Sequence, residues 1–427
     1  MSSSSLKTSR IDRARKFDNA HLYAWLGIAA VNICWGALTA IRPGHSQDLS
    51  SIHIWLRTWL WQGSNPYYLP DYIVANYPPH AIVALSPLAL LPESWVAFVW
   101  AALNLLLAPL VCYLAFRLFK PEASSRAALL PCAMFLAWAG LRTGLANGQF
   151  TLLVIGFGLL AFLFEEKRPL VGGLFLALAL MKPHIGGVFL LWALFTKRWR
   201  MTTVACALMG LGVCVYALRL MESPFAAVRD YLSVLQHQFG RGADVQGSTA
   251  LRVVELRPLI SLFVHNEAWG NRLQQLLLVV MLGCAAAVAF LKSRLSQAQR
   301  DAAVLQLCCL WLLMSVFHNP YDTILLLPIL MGLWAVSVPH PRRRELWTDK
   351  GALWVLQAAM VLELPGIWWK LSKAHDLSSY NWAGVLFANF DRVLVLCLFV
   401  FILNRARLYW LAAREPITTG EMLAQPE

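Results

Sequence analysis

Runs of about 15 to 25 apolar residues recur along the whole chain, and no other property narrows its fold as far. A run of that length crosses a hydrocarbon layer as helix, where every backbone N–H and C=O must be satisfied internally. Twelve are read, at 22–41, 95–116, 127–141, 149–164, 169–181, 184–196, 201–218, 273–291, 302–317, 320–338, 351–369 and 393–411. With 59% hydrophobic and 14% charged residues among 427, a water-soluble fold could not cover its surface with polar groups. The chain reads as an all-α polytopic membrane protein, a single integral membrane domain over 1–427, with no linker or low-complexity stretch.

The formal net charge of +13 is distributed by side. Seven short segments, from "KTSRIDRARK" at the start to the tail at 405–427, hold 23 of the 36 Lys and Arg. The other 13 are spread over much longer loops on the opposite side. By the positive-inside rule both termini face the cytoplasm, and the charge sets orientation in the cell (inner) membrane. No nucleic-acid partner is implied. The first run follows a basic, Ser-rich start without a small-residue cleavage site, so it is read as a retained signal anchor. All nine Cys lie in apolar runs, which argues against a disulfide framework.

Two long loops, 42–94 and 219–272, fall on the outer side, with a smaller one near 370–392. In the first, Ile52, Trp55, Leu56, Trp59 and Leu60 recur at helical spacing while His53 and Arg57 share the other face. This predicts an amphipathic helix lying flat at the interface. Asp48 stands just before it, either as its N-cap or as a general base at the lip of a membrane cavity. Asn65-Pro66 and Tyr77-Pro78-Pro79 fix turns, and Tyr67, Tyr68, Tyr72 and Tyr77 suit a headgroup belt. Three further polar turns fall on the same side: "RTGLANGQ" (142–149), Lys182-Pro183-His184, and "FHNPYD" (317–322). In the last, Asn319, Pro320 and Asp322 read as a helix cap. In the second long loop, "AAVRDYLSVLQHQF" is helical and a Gly-rich turn follows.

The order of these motifs resembles a known family. An Asp after the first span is followed by a flat helix, "G-x-N-P-Y" (63–67), "Y-P-P" (77–79), "P-L-A-L-L-P" (87–92), "N-G-Q" (147–149), "K-P" (182–183) and "KRWR" (197–200). Over about residues 20 to 340 the chain is similar to glycosyltransferase family 87, the polyprenol-phosphate-mannose-dependent α-mannosyltransferases of the GT-C superfamily. The resemblance implies a GT-C-type bundle of about 12 transmembrane helices with an interfacial helix in the first outer loop. It implies an inverting transfer of a hexose, mannose by the family's habit, from a polyprenyl-phosphate-sugar to a lipid or glycan hydroxyl on the outer, periplasmic face.

Asp48 would then be the general base. Arg42, Arg142, Lys182 and His184 are candidates for the donor phosphate, since cations that donate hydrogen bonds suit its oxygens. Lys182 can equally be a snorkelling helix-end lysine, and His184 and His318 interfacial histidines. His45, His53, Asn65, Tyr67, Tyr77, Asn147, Gln149 and His318 are candidates for sugar or acceptor contacts. Amides donate and accept as sugar hydroxyls require. His45, Asp48 and His53 could hold a metal on spacing, but the stretch lacks a D-x-D pair. No metal and no cofactor is expected, the lipid-linked sugar being a substrate. The alternatives are a secondary transporter or lipid flippase, and a non-catalytic assembly partner. A transporter would be expected to carry its ionisable groups near the bilayer midplane.

Overall fold

The structure is a computed structural model that describes residues 3–42, 44–242, 256–290, 297–315, 319–335, 343–362 and 382–412. Among them every regular element is helical. In chain order these are α1 (Ser3–Ala40), α2 (Gln47–Leu60), α3 (Pro79–Leu85), α4 (Glu93–Phe119), α5 (Ser125–Leu136), α6 (Ala139–Ala146), α7 (Thr151–Phe164), α8 (Pro169–Ala179) and α9 (Pro183–Phe195). There follow α10 (Trp199–Leu220), α11 (Pro224–Gly242), α12 (Arg257–Ser261), α13 (Glu267–Phe290), α14 (Gln297–Ser315), α15 (Leu327–Ala335), α16 (Arg343–Leu362) and α17 (Trp382–Ala412). Short 3-10 turns lie at Pro66–Tyr68, Ser86–Leu90 and Pro320–Leu326.

Among the described residues four helices are long and apolar enough to cross a membrane: residues Asn19–Ala40 of α1, then α4, α10 and α13. Their outward residues, among them Val31, Trp35, Phe98, Leu106, Leu211, Leu218, Leu276 and Val279, are exposed and apolar, as lipid-facing surface must be. The protein is an all-α membrane protein. A fifth crossing is possible if α5 and α6 count as one span bent by 68°. The run expected at 127–141 is thus broken, and Asn32 of α1 explains how the break is tolerated. Its amide donates to the Leu136 carbonyl at 2.9 Å and the Trp138 carbonyl at 2.8 Å, one on each side of the bend. Helices α7, α8 and α9 have 14, 11 and 13 residues. At ~1.5 Å per residue none alone matches a hydrocarbon core of ~30 Å.

The interior divides into two apolar clusters. The larger gathers α4 to α9 with α14 to α17 around Phe116, Trp138, Phe189 and Trp192. The smaller packs α2, α3 and the 66–90 segment against α4 and α10, around Leu56, Trp59, Tyr77, Trp100 and Tyr216. Phe150 and Met181 belong to the smaller cluster, whereas Leu152 and Leu180 belong to the larger. Residues 149–151 and 180–182 therefore run along the seam between them, where polar side chains can be held without sitting in the middle of either core.

The helix expected after Asp48 forms as α2, but His53, one turn from Arg57, does not share its exposure. It is buried, while Arg57 is exposed. Position 53 lies four residues after Leu49 and three before Leu56, which puts it on the flank of the apolar stripe that α3, α4 and the 86–90 turn cover. The helix expected in the second long loop forms as α11.

Candidate active site

Asp48 is the second residue of α2, not its cap; Ser46 is the N-cap residue, in the left-handed conformation with φ of 56°. The Ser46 N–H donates to the Ala146 carbonyl at 3.2 Å, which ties the start of α2 to the end of α6. Gly148 makes the approach possible: its φ is +69°, and a Cβ there would stand 2.6 Å from Leu49 Cβ. Asn147 ends α6. Gln149 leaves the turn with its amide nitrogen donating to Asp48 Oδ2. The carboxylate is thus engaged by Gln149, and the capping reading gives way.

From Gln149 the polar contacts continue. Lys182 follows α8 and is the N-cap of α9, with Pro183 at the first helical position. The positive end of the α9 dipole disfavours a cation there, and burial disfavours it further, so an opposite charge is required. Asp322, from the Pro320–Leu326 turn, supplies it at 3.1 Å; Lys182 and Asp322 are each 2% exposed. Lys182 Nζ also donates to Gln149 Oε1 at 2.8 Å and to Thr151 Oγ1 at 2.7 Å. The Thr151 hydroxyl donates on to Asp322 Oδ1 at 3.0 Å. Tyr321 lies beside the cation, with Lys182 Nζ 5.2 Å from its ring centre.

Burial pushes the Asp48 carboxyl above the usual aspartate range. The Gln149 bond and the Lys182 charge pull it down, and Asp322 adds to the rise. Burial likewise pushes the Tyr77 phenol well up, with the charges of Asp48 and Asp322 both acting on it. The Tyr77 ring meets Trp55 and Phe150 edge-on at 5.7 and 6.1 Å, and its carbonyl accepts from Tyr67 Oη at 2.7 Å. The first segment thereby delivers both Asp48 and Tyr77 to the seam.

The remaining residues singled out in the sequence divide by position. Arg42, at the end of α1, and His45 are exposed, while Arg142 of α6 and His184 of the first α9 turn are half-buried on elements bordering the cluster. His53 is buried, and its Nε2 donates to the Leu91 carbonyl at 3.1 Å, so it serves the packing of α2 on the 86–92 segment. Asn65 builds a second polar knot: its Oδ1 accepts from the Tyr67 N–H and from Tyr216 Oη, each at 3.0 Å. Its Nδ2 donates to Asp230 Oδ2 at 3.1 Å, and Tyr68 Oη donates to the same oxygen at 2.7 Å. That knot fastens α11 to the first segment. His318 lies outside the described residues. Sequence reading passed over Thr151 and Tyr321, and it read Asp322 only as part of a helix cap. A lysine directly before a proline-led helix needs a counter-charge, and Asp322 was the acid in a turn expected on the same side.

The sequence model of Glycosyltransferase family 87 matches residues 76–318. The chain belongs to glycosyltransferase family 87. As a family 87 member it is a membrane glycosyltransferase, which sets aside the transporter and assembly-partner alternatives. No curated protein matches the chain. The family match contains Gln149, Thr151 and Lys182, while the two acids they connect, Asp48 and Asp322, lie before its start and after its end.

Proposed function

We propose that this family 87 protein moves a hexose, mannose being the family's usual sugar, from a polyprenyl-phosphate-sugar to a lipid or glycan hydroxyl on the outer face of the cell membrane. Asp48 is the general base of a single inverting displacement. It takes the proton from the acceptor hydroxyl, the acceptor oxygen bonds to the anomeric carbon, and the bond from that carbon to the phosphate breaks on the opposite face. The polyprenyl phosphate leaves as a monoester.

One observation carries the reading. Asp48 is a carboxylate whose affinity for a proton is raised by burial, yet it is kept partly accessible at the lip of a buried polar cluster. A base with a higher pKa accepts a proton more readily, and partial exposure leaves room for an incoming hydroxyl. The cluster holds two carboxylates and one ammonium, so the donor phosphate needs further cations. Arg42, Arg142 and His184 fill that role, with Lys182 adding its charge. His45, Asn147, Tyr67 and Tyr77 are the candidates for sugar and acceptor contacts. The bundle is of the GT-C type with about twelve crossings, α2 at the outer interface and both termini in the cytoplasm, and the reaction uses no metal.

The test is transfer from radiolabelled polyprenyl-phosphate-mannose by the purified protein. Asp48→Asn is expected to lower turnover by about 10²-fold or more. Near wild-type turnover overturns the assignment. EDTA is expected to leave the rate unchanged, and a loss restored by Mg2+ or Mn2+ would overturn the metal-free reaction.

A further inference from the structure

We propose that Asp322, Lys182 and Gln149 form a positioning relay that orients Asp48 while keeping the lysine out of direct contact with it. The inference rests on the reading of Asp48 as the base. It follows from counting donors and acceptors. An ammonium has three N–H donors and no acceptor. Those of Lys182 go to Gln149 Oε1 at 2.8 Å, Thr151 Oγ1 at 2.7 Å and Asp322 Oδ1 at 3.1 Å. All three are committed, so Lys182 offers no free N–H to a substrate phosphate.

Because Lys182 can only donate, the oxygen of the Gln149 amide must face it. The nitrogen of that amide then faces the other way and donates to Asp48 Oδ2. The orientation of Gln149 is therefore dictated by Lys182, and Gln149, 7% exposed, has little freedom to choose another. One carboxylate oxygen of Asp48 is occupied and its rotation is fixed, which leaves Oδ1 to take the acceptor proton.

The neutral amide explains why a lysine can stand so close to a base. A direct Lys182–Asp48 ion pair would stabilise the carboxylate and blunt it as a proton acceptor. With glutamine between them, orientation is transmitted without contact between the charges. Asp322 absorbs the cation's field from the far side, and the Thr151 hydroxyl, donating to Asp322, closes the ring. Gln149, Lys182 and Asp322 act through Asp48 and are positioning residues.

Two isosteric variants move Asp48 in opposite directions. Gln149→Glu keeps an oxygen toward Lys182 but sets a carboxylate oxygen against Asp48, so the acid limb of the kcat/KM–pH profile is expected to rise. Asp322→Asn removes a negative charge and leaves the lysine less compensated, so the limb is expected to fall. Each displacement should be about half a pH unit or more. A purely structural role would lower both profiles without moving their limbs. Limbs that stay at the wild-type pH, or move in the same direction, overturn the relay. Should either single variant fail to accumulate, the double variant keeps the net charge of the cluster. It carries the negative charge to the residue touching Asp48, so its limb is expected above wild type, and an unmoved limb overturns the relay there too. Asp48→Asn, run beside them, separates the two readings. If it keeps turnover, the base is wrong. If it abolishes turnover while the limbs stand still, only the relay is wrong.

Discussion

Gly148 carries two constraints at once, a backbone φ of +69° and a side-chain position already filled by Leu49. Either would disfavour a β-carbon; together they make the residue the hinge pin between α6 and α2. Gly148→Ala is expected to cost about 1–3 kcal/mol of stability and to part Gln149 from Asp48. A lowered melting temperature together with reduced kcat would be read in one detergent preparation, and an unchanged kcat would separate the glycine from the site. The neighbouring residues show what a sequence can disclose at this scale. Gln149 and Lys182 sit in turns whose composition is polar against an apolar background, so both were visible as candidates. Asp322 was not, because an acid after Asn-Pro looks the same whether it caps a helix or pairs with a lysine 140 residues earlier. Thr151 had no signal at all at the head of an apolar run.

Between elements, a second ion cluster bolts the helix ends remote from the site. Arg198, the N-cap of α10, meets Glu165 at the end of α7 at 2.7 Å and Asp301 of α14 at 2.9 Å, with Glu166 at 3.9 Å. Burial pushes Glu165 up to about 7 despite the arginine beside it, and burial also raises Asp301. The sign follows from linkage: a carboxyl whose pKa is higher folded than unfolded favours the fold most where it is protonated. That stabilisation is present below about 4.5 and is lost as pH rises through about 7. The free energy of unfolding is therefore expected to fall across that window by an amount on the order of 1–3 kcal/mol, read as a falling melting temperature, and Glu165→Gln should flatten the fall. A wild-type curve that rises between the same limits would contradict it. Elements also mark where sequence reading stops. The bend at 137–138 has no proline or glycine at the break, and it depends on Asn32 of α1 and on Trp138, whose indole donates to Gln357 of α16 at 2.9 Å. Such partners are remote in sequence. The burial of His53, by contrast, could have been read from its distance to Leu49 and Leu56.

For the molecule as a whole, the apolar runs and the sorting of basic residues made the membrane class and the proposed orientation readable from composition alone. The two-cluster interior was not readable, since runs equally apolar fall on either side of the seam. Orientation has a direct test. In a cysteine-free background, a cysteine at Tyr72, which is 84% exposed, is expected to react with a membrane-impermeant maleimide added outside intact spheroplasts. One at exposed Lys167 should react only after lysis, and the reverse pattern would invert the topology.

The separation of Lys182 from Asp322 also bears on how the chain is made. With 140 residues between them, at about 5–20 residues per second, the lysine waits roughly 7 to 28 s on the ribosome for its counter-ion to be synthesised. During that interval, of its hydrogen-bond partners in the cluster, Gln149 and Thr151 are already translated. Nascent chains halted short of residue 322 would hold a cation that the bilayer rejects, and so would be ready prey for the proteases that survey membrane insertion.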